Sequence, residues 1–297
     1  MAPNNRTTAA GVVTSILASV LFGAIFFVSG AIEAQASTLV AWRVLLTAAC
    51  YALLLGFPAG RRAFKAFWDV LRKGPLYVCY FALLVTLIGL QLWLFAWSPK
   101  GHALDASLGY LLLPIFLVVV GRFFFSSIIS RLQWIAVGIA IIAVTMKFII
   151  SAQISWVTFA IAVGYALYFA LRSYSGFNSS FCYGAETIVL SPIAIALLFA
   201  VPDVLDRDMM IMVICAGLAG AVAMALYLAA SVLLSMPIFG LLSYGEPILL
   251  FVAALLLGES LDISDAIVYS LLGFALAILG FDGIWRSRKT LEPTLAV

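Results

Sequence analysis

Three charged residues sit where charge is costly. Arg43, Glu186 and Glu246 each fall inside a long apolar run. An ionisable group in such a run usually faces a bundle interior or a water-filled cavity, and marks a solute or proton path. Glu246 is the most telling. It follows Ser243, Tyr244 and Gly245 and precedes Pro247, and proline frees a backbone carbonyl and bends a helix. A carboxylate there can hold a substrate ammonium or carry a proton. It can equally be half of a buried pair with Arg43, or a protonated acid bonded to the backbone. Pro114 follows Gly109-Tyr110-Leu111-Leu112-Leu113 in an earlier run. Interrupted helices at matching positions of two halves are the sequence pointer to a central site.

Aromatic residues make up 13% of the chain. At helical spacing Tyr77, Tyr80, Leu84 and Gln91 lie roughly along one face, and Trp93 and Trp97 form an i, i+4 pair beyond them. Tyr165, Tyr168 and Arg172 share another face, and Tyr110 and Tyr244 flank the two prolines. Such stripes serve packing more often than ligand contact. A hollow lined by them would suit an aromatic or amphipathic solute.

Other chemistries lack their parts. His102 is the sole histidine, and Cys50, Cys79, Cys182 and Cys215 show no Cys-x-x-Cys spacing. The cysteines read as small apolar fillers, and neither a metal centre nor a cofactor is expected. The acids are scattered rather than paired or clustered, so an intramembrane enzyme is not expected either. No ring of like charges suggests a channel. Phosphorylated cargo would want several deep cations, and only Arg43 is plainly deep.

The elements that must position these groups follow from composition. Of 297 residues 65% are hydrophobic and 10% charged, against about 45–50% and about 25% in soluble domains. Mean hydropathy is +1.19. Too few polar groups exist to cover a soluble globule, which excludes a soluble enzyme or a nucleic-acid-binding domain. Runs of roughly 20 apolar residues read as membrane-crossing helices. They fall at about 9–31, 38–57, 75–97, 104–124, 132–150, 154–172, 181–201, 209–234, 238–257 and 264–285. Ala34-Gln35-Ala36 resembles a signal cleavage site, but the run before it is longer than a signal core of about 7–15 residues. It is kept as an uncleaved first span.

With the N-terminus inside, twelve Lys and Arg residues fall on inside segments and three on outside loops. That bias supports an even span count with both termini cytoplasmic. Lys147, Arg172 and Arg122 lie near span ends, where long side chains can snorkel to the interface, and Trp68, Trp156 and Trp285 suit an interfacial belt. Aligning Pro114 with Pro247 brings the fourth and ninth spans into register, and Trp134–Gly138 of the fifth into correspondence with Val268–Gly273 of the tenth, with about two inserted residues. The expected fold is an all-α polytopic membrane protein whose ten transmembrane helices form two inverted five-helix repeats. A tail of residues 1–8 precedes a first repeat at 9–150; a second at 151–285 precedes a tail at 286–297. Ala216, Gly217, Gly220, Ala221 and Ala225 in the eighth span predict close helix packing.

The run Gln91-Leu92-Trp93-Leu94-Phe95-Ala96-Trp97, then Ala106-Ser107-Leu108-Gly109-Tyr110 with Pro114, Ser130-Arg131-Leu132-Gln133-Trp134 and Gly258-Glu259-Ser260-Leu261 resemble the drug/metabolite transporter superfamily. Within it the EamA and RarD-like branch is the nearest match, and the YddG type of aromatic amino-acid exporter the nearest type. The resemblance spans about residues 9–285. It implies ten helices, a cavity between the halves, and export of amino acids, aromatic ones in particular, across the inner membrane. It favours Tyr80, Gln91, Trp93, Trp97, Tyr110, Tyr244 and Glu246 as lining residues. Ser126-Ser127 stands where the repeat usually carries an acid. The expected partners are a small-molecule substrate and the lipid bilayer, and the expected state is a monomer.

Overall fold

The computed structural model describes residues 5–125, 129–151, 155–179, 181–234 and 236–291. Ser126-Ser127 and parts of both tails, 1–4 and 292–297, lie outside the described residues, as do the side chains of residues 284–291, Trp285 among them. The regular elements among the described residues are α-helices: α1 (Asn5–Ala31), α2 (Ala36–Leu54), α3 (Pro58–Leu71), α4 (Pro75–Trp97), α5 (Ala103–Phe125), α6 (Arg131–Ser151), α7 (Trp156–Ser175), α8 (Phe181–Ala200), α9 (Arg207–Leu233), α10 (Met236–Ser243), α11 (Gly245–Leu256) and α12 (Ile263–Leu291). Helix is the form that satisfies its own peptide groups where no water can. Eight of these helices are long and apolar enough to cross a membrane: α1, α2, α4, α5, α7, α8, α9 and α12. They fall on eight of the ten expected spans. The other two expected spans fall on α6 and on α10 with α11, between which the chain breaks at Tyr244.

The two prolines act differently. Pro114 lies inside a continuous α5. Pro247 lies in the first turn of α11, where a missing N–H costs no intrahelical bond.

Helix α3 was not expected from a search for apolar runs. It begins on Pro58, which suits a first turn. Phe67 is buried against Phe81 and Phe177, while Arg61, Arg62 and Lys65 are exposed. Ser179 Oγ donates to the Ala63 carbonyl at 2.6 Å. This amphipathic helix is thereby held against the end of the bundle where α4 and α8 begin.

The main helix contacts join the two halves of the chain. α1 packs on α9 and α11, α2 on α8 and α9, α4 on α7, α5 on α7 and α11, and α6 on α12. Small residues permit the α2–α9 approach. A Cβ on Gly217 would lie 2.8 Å from Leu46, and one on Gly220 would lie 3.0 Å from Arg43 Nε. Ala216, Gly217, Gly220 and Ala221 are buried, as the small-residue cluster predicts, whereas Ala225 is exposed.

One end of the bundle is knit together by its loops. Gly258, at φ +90°, closes α11, with the N–H of Glu259 returning to the Ala254 carbonyl at 3.2 Å. A positive φ there is cheap only for glycine. The turn aims Glu259 at α5, where its two carboxylate oxygens accept from the N–H groups of Ala103 (2.6 Å) and Leu104 (2.7 Å). Lys100 Nζ donates to the carbonyls of Ile32 (3.0 Å) and Ala34. Burial lowers the Lys100 ammonium's pKa below the usual lysine value, against the pull of Asp203 and Glu33. The Gln35 N–H donates to Asp203 at 2.6 Å, and Lys147 pairs with Asp265 across α6 and α12. Asp262 accepts from the Ser264 N–H at the start of α12, which holds its carboxyl below the usual pKa.

Candidate functional site

Where the halves meet, a cavity of about 130 Å³ is walled by eight helices. From the first half come Phe22 (α1), Arg43 (α2), Phe95 (α4) and Tyr110 (α5); from the second, Tyr165 and Arg172 (α7), Tyr183 (α8), Tyr227 (α9) and Glu246 (α11). The mutually packed α6 and α12 contribute no wall residue to it. A neighbouring cavity of about 440 Å³ shares Tyr110, Leu113, Phe169, Tyr227 and Glu246 with the first. Pro114, Leu117, Phe239, Ser243, Tyr244 and Pro247 complete its walls.

The rings form a connected lining. Phe22 meets Phe95 and Tyr227 edge-on, both at 6.4 Å between centroids. Tyr110 meets Tyr165 at 5.5 Å, with the hydroxyls 3.4 Å apart. The edge-to-face pairs around Phe22 leave each of their rings a fixed orientation.

Arg43 is buried, 7% exposed. Its guanidinium carbon lies 4.7 Å from the Phe95 ring centre. Its Nε and Nη1 are shielded from solvent and have no hydrogen-bond partner among the described residues. Glu246 borders the same cavity from the first turn of α11, where free N–H groups favour an anion. Among the described residues no ion pair joins Arg43 to Glu246.

Glu186 is fully buried behind this wall. It accepts from the Tyr168 hydroxyl at 2.8 Å and the Cys182 thiol at 3.3 Å. Tyr168 in turn accepts from Arg172 Nη1 at 2.7 Å. The remaining Arg172 nitrogens donate to the carbonyls of Phe177 (2.9 Å) and Ser179 (3.0 Å). Arg172 therefore folds back onto its own loop instead of reaching outward, and Lys147 is taken up by Asp265.

Of the residues singled out by sequence, Arg43, Tyr110, Tyr165, Tyr168, Arg172, Tyr244, Glu246, Pro114 and Pro247 come together on the two cavities. Besides Glu186, four of the expected site residues lie elsewhere. Gln91 is fully buried, and its Nε2 donates to the Ala160 carbonyl at 2.9 Å. It fills the slot left by Gly164, where a Cβ would stand 2.0 Å from that nitrogen. At the knit end Trp93 stacks on Trp97 at 5.3 Å, and Trp97 stacks on His102 at 4.9 Å and meets Trp156 at a tilt at 5.6 Å. Tyr80 meets Tyr77 and Tyr174 edge-on at the opposite end. Sequence reasoning did not single out Phe22, Phe95, Tyr183 or Tyr227. Tyr183 carried a signal, one turn before Glu186; the other three stand in plain apolar runs.

No protein-family model matches the chain. The chain is 34% identical to the chloramphenicol-sensitive protein RarD of Pseudomonas aeruginosa, over 96% of this chain and 98% of that one. It is 30% identical to an uncharacterized transporter of Pasteurella multocida, over 94% and 98%. The protein RarD of Escherichia coli is 28% identical over 75% and 79%. A solved structure superposes with a TM-score of 0.56 over 92% of this chain and 96% of its own, at 16% identity; that likeness concerns the fold alone.

Proposed function

This chain belongs to the RarD-like drug/metabolite transporter family, and we propose that it is a secondary transporter exporting amino acids, aromatic ones foremost, and related amphipathic metabolites across the inner membrane. The observation that carries this reading is the ring-lined cavity to which four helices of each half contribute. Its rings and hydroxyls suit a flat apolar body with a polar head.

We read the fold as ten spans in two inverted halves, α6 and the α10–α11 pair counting as spans. The helix contacts support this. Shifting every span by five turns the α1–α9 contact into α4–α7, and α1–α11 into α5–α7; α2–α8, α5–α11 and α6–α12 map onto themselves. Five spans per half turn the second half over, so two states of similar architecture open to opposite sides. The charge bias supports cytoplasmic termini. In that orientation the knit end is external, and the cavity leans toward Arg172 and Tyr183, the cytoplasmic side from which an exporter loads.

Tyr110, Tyr244 and Glu246 are assigned to cargo contact, and Tyr80, Gln91, Trp93 and Trp97 to the packing around it. Glu246 and Glu186 are the candidates for proton coupling. One copy holds the whole cavity, so a monomer suffices.

The test is flux of a labelled panel in proteoliposomes: aromatic, aliphatic and acidic amino acids, a sugar phosphate and chloramphenicol. Aromatic amino acids are expected to move fastest, with losses of about tenfold in Tyr244→Ala and Glu246→Gln. Faster movement of acidic or phosphorylated solutes would overturn the cargo assignment. Rates indifferent to an imposed pH gradient would remove the proton coupling and leave a facilitator.

A further inference from the structure

We propose that this cavity recognises its cargo as a zwitterion, with Arg43 holding the carboxylate, Glu246 the ammonium, and the neighbouring chamber the side chain. The inference rests on the transporter reading above and adds a polarity and an orientation to it.

The first observation is the Arg43 guanidinium. Two of its nitrogens are buried without an acceptor among the described residues, though hydrogen bonds are what normally make a buried charge tolerable. The face of Phe95 offers attraction but accepts no hydrogen bond in the plane of the guanidinium fork. A fork of N–H groups matches a carboxylate in two places at once. Arg43 lines the smaller cavity, from which a carboxylate would approach.

The second observation is the placement of Glu246. It borders both chambers, whereas Arg43 borders only the smaller of the two. A lone anion would satisfy Arg43 and face repulsion from Glu246; a lone cation would do the reverse. A molecule carrying both charges on adjacent carbons satisfies both. The chamber at Arg43, about 130 Å³, lies below the roughly 300–1,000 Å³ of ordinary ligand pockets. It takes the charged head. The side chain then enters the chamber of about 440 Å³, against Phe239, Tyr244 and the two prolines.

The experiment is equilibrium competition against labelled L-phenylalanine on the full chain in nanodiscs, run beside counterflow in proteoliposomes. The competitors are L-phenylalanine, 2-phenylethylamine (no carboxylate) and 3-phenylpropionate (no ammonium). On wild type, each one-charge analogue is expected to compete about tenfold or more weakly than the amino acid. Arg43→Gln should weaken the amino acid by a similar factor and leave 2-phenylethylamine unchanged. Glu246→Gln should weaken the amino acid and leave 3-phenylpropionate unchanged. The wild-type comparison needs no variant, and Arg43→Lys keeps the charge should Arg43→Gln fail to fold. If either analogue matches the amino acid on wild type, the zwitterion inference falls while transport of amphipathic solutes stands. If no aromatic compound binds or moves, the transporter's cargo assignment falls with it. Equal losses for all three competitors in folded Arg43→Gln would reduce Arg43 to a packing residue.

Discussion

Arg43 illustrates how a residue's type can be legible while its partner is not. Its position inside an apolar run marks it as unusual; which helix faces it depends on α9 offering glycine at 220. Glu246, Tyr110 and Tyr244 were readable for the same reason, as rare polar groups beside a proline. Gln91 was equally rare, yet helical periodicity tells which residues share a face and not what that face meets. It meets Gly164. Gly164→Ala is therefore expected to displace the Gln91 amide from Ala160 and cost about 1–3 kcal/mol. Combined with Gln91→Ala the loss should be partly relieved, a coupling of about 0.5 kcal/mol or more in denaturation of the purified protein. Strict additivity would mean that the two side-chain positions do not share the slot.

At the scale of elements, the Gly258-Glu259 turn ties the second half to the first. Glu259→Ala removes both acceptors from the start of α5 and is expected to cost about 1–3 kcal/mol. Glu259→Gln should cost less, since one amide oxygen still accepts. Gly258→Ala should also lower the melting midpoint, because φ +90° strains any residue with a Cβ by about 1 kcal/mol or more. An unchanged midpoint in Glu259→Ala would remove the cap from the account. The Gly-Glu pair stood out in the sequence by resemblance, but its target did not, since a loop shows no periodicity that could name a partner 155 residues away. The break at Tyr244 was readable from Ser243 to Pro247 as an interruption. α3 escaped because a search for 20-residue apolar runs passes over a 14-residue helix whose aromatic face alternates with arginine and lysine.

At the scale of the molecule, the proposed alternating access would require the knit end to part. Cysteines replacing Lys147 and Asp265, in a background without Cys50, Cys79, Cys182 and Cys215, should allow a short bifunctional reagent to join α6 to α12. Flux is expected to stop on cross-linking and return on cleavage of the linker; full flux in the cross-linked protein would count against opening at this end. The all-helical character and most segment positions were legible because lipid leaves the backbone so few options. The pairing of helices across the halves was not, since apolar faces of similar composition do not name their neighbours. The rim contacts made by Lys100, Glu259 and Asp203 have one more consequence under alternating access. They would have to be unmade and remade in each cycle, so the strength that protects the chain from heat also sets the height of its slowest step. Laboratory selection for thermotolerance that tightens this rim should yield sluggish carriers, visible as turnover numbers that fall as melting temperatures climb.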